Sequence, residues 1–411
     1  MARILTVWVL TRALLLLCVF HVLTAPGPDV TSDVSVIYQG WYEILRTGTF
    51  PLDDVTWQYP PAAALAVLSP ALLPFLDYAS AFFVLAFLAD AAVGGMLLYA
   101  GRRPGTSYRG LWVWVVGVPL LGPTVYARYD VMVTAVAVAA LLAGARHPRT
   151  LGVLAGFGAL LKVWPVLLLA GVPRGRATRR SWAAAAGTAF GVTLVFLVAM
   201  PGALAFLTFQ RERGTEVESL GALVFHVGRH LGWRGDVRLN YGSVEFLGPY
   251  VPLVSTAAQL LSAAALCWLL AWRLRVRAWS ASTLADTAFV AVLLFTATSR
   301  VISPQYMLWL VGAAAVCLAF RASPMELPAR LVLAATFVTF LEFPVWFSHV
   351  VASDPLGVTL LLVRNGLLVA AALSACRALW RQTVAEREQE PVPGPAPVSP
   401  APSGDTCASA P

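Results

Sequence analysis

Charge is scarce in this chain of 411 residues: 12% are Asp, Glu, Lys or Arg, about half the share usual in soluble domains, while 59% are apolar. That scarcity excludes a water-soluble globular class, because too little polar surface remains to cover so much hydrocarbon. Cysteine is scarce as well. Of five residues, Cys18, Cys267, Cys317 and Cys376 lie inside apolar runs and Cys407 lies near the C-terminus, which excludes a disulfide framework and a Cys-x-x-Cys metal site. A Gly-rich nucleotide loop is lacking. So is any module of interleaved aromatic and basic residues, and the net charge of +8 therefore does not point to nucleic acid. It comes mostly from short Arg clusters between apolar runs, which read as orientation signals and lipid headgroup contacts.

What is abundant is long apolar sequence, with a mean hydropathy of +0.74. Runs of about 20 residues, enough to cross ~30 Å of hydrocarbon as helices, recur from Ile4 to Trp380. The expectation is an all-α, polytopic transmembrane helix bundle of about twelve spans. The runs are Ile4 to Leu23, Pro60 to Leu76, Tyr78 to Ala100, Gly110 to Val125, Arg128 to Gly144, Thr150 to Val172, Trp182 to Met200, Leu247 to Trp272, Thr283 to Thr298, Pro304 to Phe320, Ala329 to Phe347 and Gly357 to Trp380. Met1 to Ala25 resembles a signal peptide, but Pro26 follows the candidate cleavage point, so an uncleaved first helix is expected. Residues 1–382 form one membrane domain. Residues 383–411, rich in Pro, Ala and Ser from Glu390 onward, are expected to be a disordered cytoplasmic tail.

With the N-terminus inside, Arg174 to Arg180 and Arg273 to Arg277 fall on the cytoplasmic side, as the positive-inside rule requires. Arg102, Arg103, Arg109, Arg146 and Arg149 then face outward against that rule, unless one or two runs are re-entrant. The long polar loops Thr24 to Tyr59 and Pro201 to Phe246 share the outer side, where they can frame one site.

In the first of these loops, Asp33 opens a segment, Val34 to Thr47, with apolar residues at helical spacing; Tyr38, Trp41, Tyr42 and Leu45 fall on one face of an expected interfacial helix. A carboxylate at the interface suits a general base that takes a proton from an acceptor hydroxyl; capping the following helix is the plainer role. Tyr59 precedes Pro60 and Pro61, which are tolerated in a first helical turn. Asp53 and Asp54 read as solvated loop residues. In the second loop, the run from Gln210 to Ser219 offers Arg211 and Arg213 for phosphate and Glu216 and Glu218 for sugar hydroxyls, against a plain solvated helix. His226 and His230 stand at i, i+4, but Arg229 beside them argues for an ordinary surface helix rather than a metal site. Arg300, Gln305 and Tyr306, in the stretch Ser299 to Tyr306, add a cation and hydrogen-bonding groups. Arg12, Asp90, Asp130, Lys162 and Glu342 lie at or near membrane depth, where each ionised group costs about 2.5–3.5 kcal/mol. Lys162 meets either a lipid phosphate or an acid such as Asp130.

Ser32-Asp33 through Tyr38, Tyr59-Pro60-Pro61, Leu161-Lys162 with Pro165, the run Arg213-Gly214 to Glu218-Ser219, and Ser303-Pro304-Gln305-Tyr306 occur in an order that resembles glycosyltransferase family 87. That family comprises multi-span class C (GT-C) enzymes, including polyprenol-phosphate-mannose-dependent mannosyltransferases. The resemblance implies transfer of a hexose, with mannose favoured, from a polyprenyl-phosphate donor to an envelope glycolipid or glycan acceptor. The site is expected at the outer face of the plasma membrane, working by an inverting displacement with Asp33 as base and with Tyr38, Tyr59, Lys162, Arg211, Arg213, Glu216, Glu218, Arg300, Gln305 and Tyr306 binding substrate. No metal or other cofactor is required, and the partners are the two substrates and membrane lipids. The sequence departs from the family at Tyr126 to Asp130, where a Gly-Gln-Asn type motif is usual, and at Gln305, where histidine is usual. A multi-span transporter or lipid flippase is the competing expectation, although no internal repeat supports it.

Overall fold

The computed structural model describes residues 1–52, 54–209, 214–240 and 242–385. Helix α1 (Ala2–Val19) leads to a π-helical turn, Asp33–Tyr38, that runs into α2 (Gln39–Leu45). Then follow α3 (Ala63–Leu68), extended by a 3-10 turn to Leu72, and α4 (Tyr78–Ala100), whose N-cap Asp77 accepts from the Ser80 amide at 3.0 Å. The middle of the chain forms α5 (Arg109–Gly117) with a 3-10 stretch Pro119–Val125, α6 (Asp130–Gly144), α7 (Pro148–Leu161) with a 3-10 stretch Trp164–Gly171, and α8 (Arg176–Ala199). After the short helices α9 (Phe206–Phe209) and α10 (Leu223–His230) come α11 (Val251–Arg275), α12 (Thr283–Thr298), α13 (Tyr306–Ala319), α14 (Glu326–Phe340), α15 (Phe347–Ala352) and α16 (Pro355–Trp380).

Six helices are long and apolar enough to cross a bilayer alone: α1, α4, α8, α11, α14 with its π turn, and α16 with its own. Shorter apolar helices fill the bundle, so the all-α, polytopic architecture is as expected. The second loop also holds a small antiparallel sheet that helical periodicity did not foreshadow. Its strands β1 (Thr215–Glu216), β2 (Asp236–Asn240) and β3 (Ser243–Leu247) lie in the order β1-β3-β2, with Glu216 and Arg238 both opposite Glu245. Val217, Phe225, Phe246, Val350 and Leu361 form a small core under it.

Two of the expected spans do not cross. The run from Pro60 yields only six α-helical and four 3-10 residues, about half the length that hydrocarbon requires, and the chain returns so that Tyr78 packs 5.0 Å from Tyr42 of α2. The run from Thr150 breaks at Lys162, whose backbone is extended (φ −160°, ψ 135°) three residues before Pro165. Proline lacks an amide to continue the helix, and the chain doubles back as the Trp164–Gly171 stretch. Gly122 (φ 64°) and Pro119 and Pro123 likewise interrupt the expected Gly110 to Val125 span.

These two reversals relocate the basic loops. Ser107 and Gly105 bond to Ala319 and Arg321, and Arg109 pairs with Glu326 at 3.2 Å. The Gln382 amide reaches the Ala322 carbonyl at 3.0 Å, and Arg277 bonds Thr383. Arg273 donates to Ala170, Val172 and Thr178, while Ser181 donates to Pro148 at 2.8 Å. Arg102 to Arg109, Arg146 to Arg149, Arg174 to Arg180 and Arg273 to Arg277 therefore gather at one end of the bundle. The expectation that the first two groups face away from the others is corrected, and the re-entrant alternative is the physical reason.

The face of α2 predicted to meet the membrane meets protein instead. Tyr38, Trp41 and Leu45 are buried in the main core, and the half-buried Tyr42 packs against it. The π turn at Arg381–Ala385 carries helical structure past the start of the expected tail, with Thr383 buried; the Pro-rich stretch from Glu390 lies outside the described residues.

Candidate active site

At the end opposite the basic loops, a cavity of about 570 Å³ is lined by Asp33, Tyr38, Tyr59, Lys162, Glu216, Glu218, Arg300, Gln305 and Tyr306. Residues from five sequence segments thus meet in one place. Arg211 and Arg213 lie outside the described residues, as does Asp53.

Asp33 does not cap a helix. Its Oδ2 lies 2.6 Å from Arg128 Nη2, and the Asp33 side chain keeps about a third of its exposure (35%) toward the cavity. Arg128 is nearly buried, and its Nη1 is pinned by the carbonyls of Ala127 and Val30. One residue earlier still, Tyr126 donates to Asp90 at 2.7 Å. Asp90 in turn holds Arg12 through two hydrogen bonds and accepts from Trp114, so this buried ion pair of α1 and α4 fixes the strand of chain that presents Arg128. Sequence reasoning missed Arg128. The departure from the family pattern at Tyr126 to Asp130 was the signal that marked it.

Lys162 pairs with Asp130 at 2.7 Å, the acid expected for it, and Trp309 donates to the same oxygen. Four rings surround the ammonium, those of Tyr59, Tyr129, Tyr306 and Trp309, with centroids 5.1–5.6 Å away. Tyr38 stacks on Trp41, Tyr59 meets Tyr129 edge-on, and Tyr306 stacks on Trp309 at 3.9 Å. These rings form an aromatic wall continuous with the cation. Trp41 and Trp309 joined the wall without being singled out for substrate, because an aromatic at helical spacing reads equally well as core.

The second loop closes the cavity. Glu216 bonds the Ile302 amide at 2.5 Å and the Ser303 hydroxyl at 3.0 Å, so it ties β1 to the Ser303-Pro304-Gln305-Tyr306 stretch. Glu218 is buried, and its Oε1 has no hydrogen-bond partner among the described residues. Burial first, then the nearby Glu216 and Glu342 carboxylates, hold its carboxyl well above the ordinary carboxylate range. Its peptide carbonyl is gripped by Arg364, which is itself paired with Glu342 at 2.6 Å inside the bundle. Asp54, expected to be solvated, instead accepts from the Trp41 indole and from Thr56. The helix carrying His226 and His230 is not a plain surface helix. His226 is buried between the Val217 carbonyl and the Ser353 hydroxyl, with its pKa lowered to about 4 chiefly by burial, and His230 bonds the Ser353 carbonyl. Both rings serve to dock the loop.

The family model for glycosyltransferase family 87 matches residues 57–304, more than half of the chain. The chain belongs to glycosyltransferase family 87. The matched region contains Tyr59, Arg128, Lys162, Glu216, Glu218 and Arg300, whereas Asp33 precedes it and Gln305 and Tyr306 follow it. No curated protein and no solved structure matches significantly. A membrane glycosyltransferase must bring a sugar donor and an acceptor together, and the cavity is where this chain concentrates ionisable and aromatic groups.

Proposed function

We propose that this family 87 glycosyltransferase transfers a hexose, with mannose the favoured sugar, from a polyprenyl phosphate to a glycolipid or glycan acceptor, inverting the anomeric centre. The observation that carries the reading is the convergence of Asp33, Arg128 and Lys162 on one cavity in a bundle of apolar helices. The acceptor hydroxyl gives its proton to Asp33 as its oxygen attacks the anomeric carbon. The bond from that carbon to the phosphate oxygen breaks, and the polyprenyl phosphate leaves with the electron pair. Arg128 and Lys162 lie at hand to meet the charge that grows on the phosphate, and the aromatic wall offers flat faces to a sugar ring. Substrate-binding roles for Tyr38, Tyr59, Glu218, Arg300, Gln305 and Tyr306 follow from their place on the cavity wall, and Glu216 acts by holding two of its loops together.

Orientation belongs to the same proposal. The clustered arginines mark the cytoplasmic end by the positive-inside rule, so the cavity opens at the outer face of the plasma membrane in a class C arrangement. The test is purified protein in lipid given radiolabelled polyprenyl-phosphate sugars and extracted glycolipids. Label should move from polyprenyl-phosphate mannose and not from a nucleotide sugar. Transfer from the nucleotide sugar alone contradicts the donor assignment, and movement of intact lipid-linked sugar without transfer supports the transporter reading.

A further inference from the structure

At the basic end, away from the cavity, a second pocket of about 500 Å³ is lined by Arg149, Arg176, Arg179, Arg180, Ala183 and Ala184. None of the four arginine side chains has an ion pair or hydrogen-bonding partner among the described residues, and no acid stands in the first turn of α8. Four like charges in one pocket repel one another unless an anion joins them. The orientation rule asks only for positive charge in a loop; it does not ask that residues from two helices converge.

That convergence is built in. Gly152 and Gly156 of α7 pack against Ser181 and Ala185 of α8, so closely that a methyl group on Gly152 would stand 2.1 Å from the Ser181 carbonyl oxygen. Small residues four apart on both helices bring the backbones together and set Arg149 beside the first turns of α8. The pocket is therefore held by the helix pair rather than by the arginine side chains. Beyond it, α8 turns an apolar surface outward, with Phe190, Val195 and Val198 all more than 60% exposed and Trp182 half exposed near the helix start. This sequence of features, cations at the end of a helix pair and then exposed hydrocarbon, matches a molecule with an anionic head and apolar tails.

We infer that this pocket binds the phosphodiester headgroup of an anionic membrane phospholipid, with its acyl chains lying along α8. The site is separate from the transfer cavity and does not depend on the sugar or the acceptor. It fixes the depth and tilt of the α7–α8 pair, and thereby of Lys162 at the far end of α7.

The test uses the full chain in nanodiscs of phosphatidylcholine, doped with phosphatidylglycerol or cardiolipin, with bound lipid counted by native mass spectrometry and thermal stability followed in parallel. Anionic lipid should be retained and should raise the midpoint, whereas millimolar inorganic phosphate should do neither. Arg149→Gln/Arg179→Gln/Arg180→Gln should weaken retention at least about tenfold. Ala183→Trp, which fills the pocket and leaves every charge in place, should do likewise. Arg102→Gln/Arg377→Gln/Arg381→Gln removes the same number of charges at the same end outside the pocket and should retain lipid as the parent does. Equal loss in that control, parental retention by Ala183→Trp, or an equal response to inorganic phosphate would each overturn the assignment.

Discussion

Arg128 Nη2 stands 2.6 Å from Asp33 Oδ2 at the cavity wall, and this ion pair joins the start of the π-helical turn before α2 to the segment that precedes α6. The guanidinium holds one oxygen of a carboxylate that lines the cavity and keeps about a third of its exposure. Replacing Arg128 by Gln should lower sugar transfer by about 10- to 100-fold, the range expected when a hydrogen bond to a charged group is lost. Lysine should recover only part of the rate, because it lacks the planar fork. Steady-state rates with saturating acceptor measure both.

Asp130 is buried, Lys162 keeps only a little exposure, and the two are paired. Lys162→Met takes the cation from the buried Asp130 carboxylate, whose Oδ2 already has no hydrogen-bond partner among the described residues, and should destabilise the protein by about 3–5 kcal/mol. The double variant Lys162→Met/Asp130→Asn should recover much of that stability while remaining poor in transfer. Thermal unfolding in detergent beside the transfer assay separates the two effects.

Glu218 carries a pH dependence with a definite sign. Its folded-state pKa is raised, so its contribution to stability is complete below the unfolded value near 4.5 and is lost as pH rises through the higher folded value. Glu218→Gln should match the parent at low pH and lose less stability on alkalinisation. Midpoints compared from acid to alkaline pH provide the measurement; parallel profiles would contradict a raised carboxyl.

The re-entrant segments make a topological prediction. In a background without native cysteines, Arg146→Cys and Arg174→Cys should react with an impermeant thiol reagent from the same side, and Arg234→Cys and Asp236→Cys from the other. A split between Arg146 and Arg174 would restore the Thr150 to Val172 run as a full span.

Hydropathy made the membrane class legible, since an apolar helix must be about 20 residues long to span hydrocarbon whatever its neighbours. It could not distinguish a crossing from a reversal. Pro165 reads as a permitted kink, and only packing decides that the chain turns back at Lys162. Asp33, Glu218 and Arg300 were legible because a polar group beside an apolar run needs a reason. Arg128 was not, because its partner lies 95 positions away in sequence. The three-stranded sheet was equally hidden, its strands being two to five residues long inside a charged loop.

The most direct measurement of the central claim is label transfer from radiolabelled polyprenyl-phosphate mannose by the parent and by Asp33→Asn in the same lipid. Loss of the general base should reduce the rate about 10²- to 10⁴-fold while donor binding persists. Equal transfer by both proteins would contradict Asp33 as the base of this glycosyltransferase.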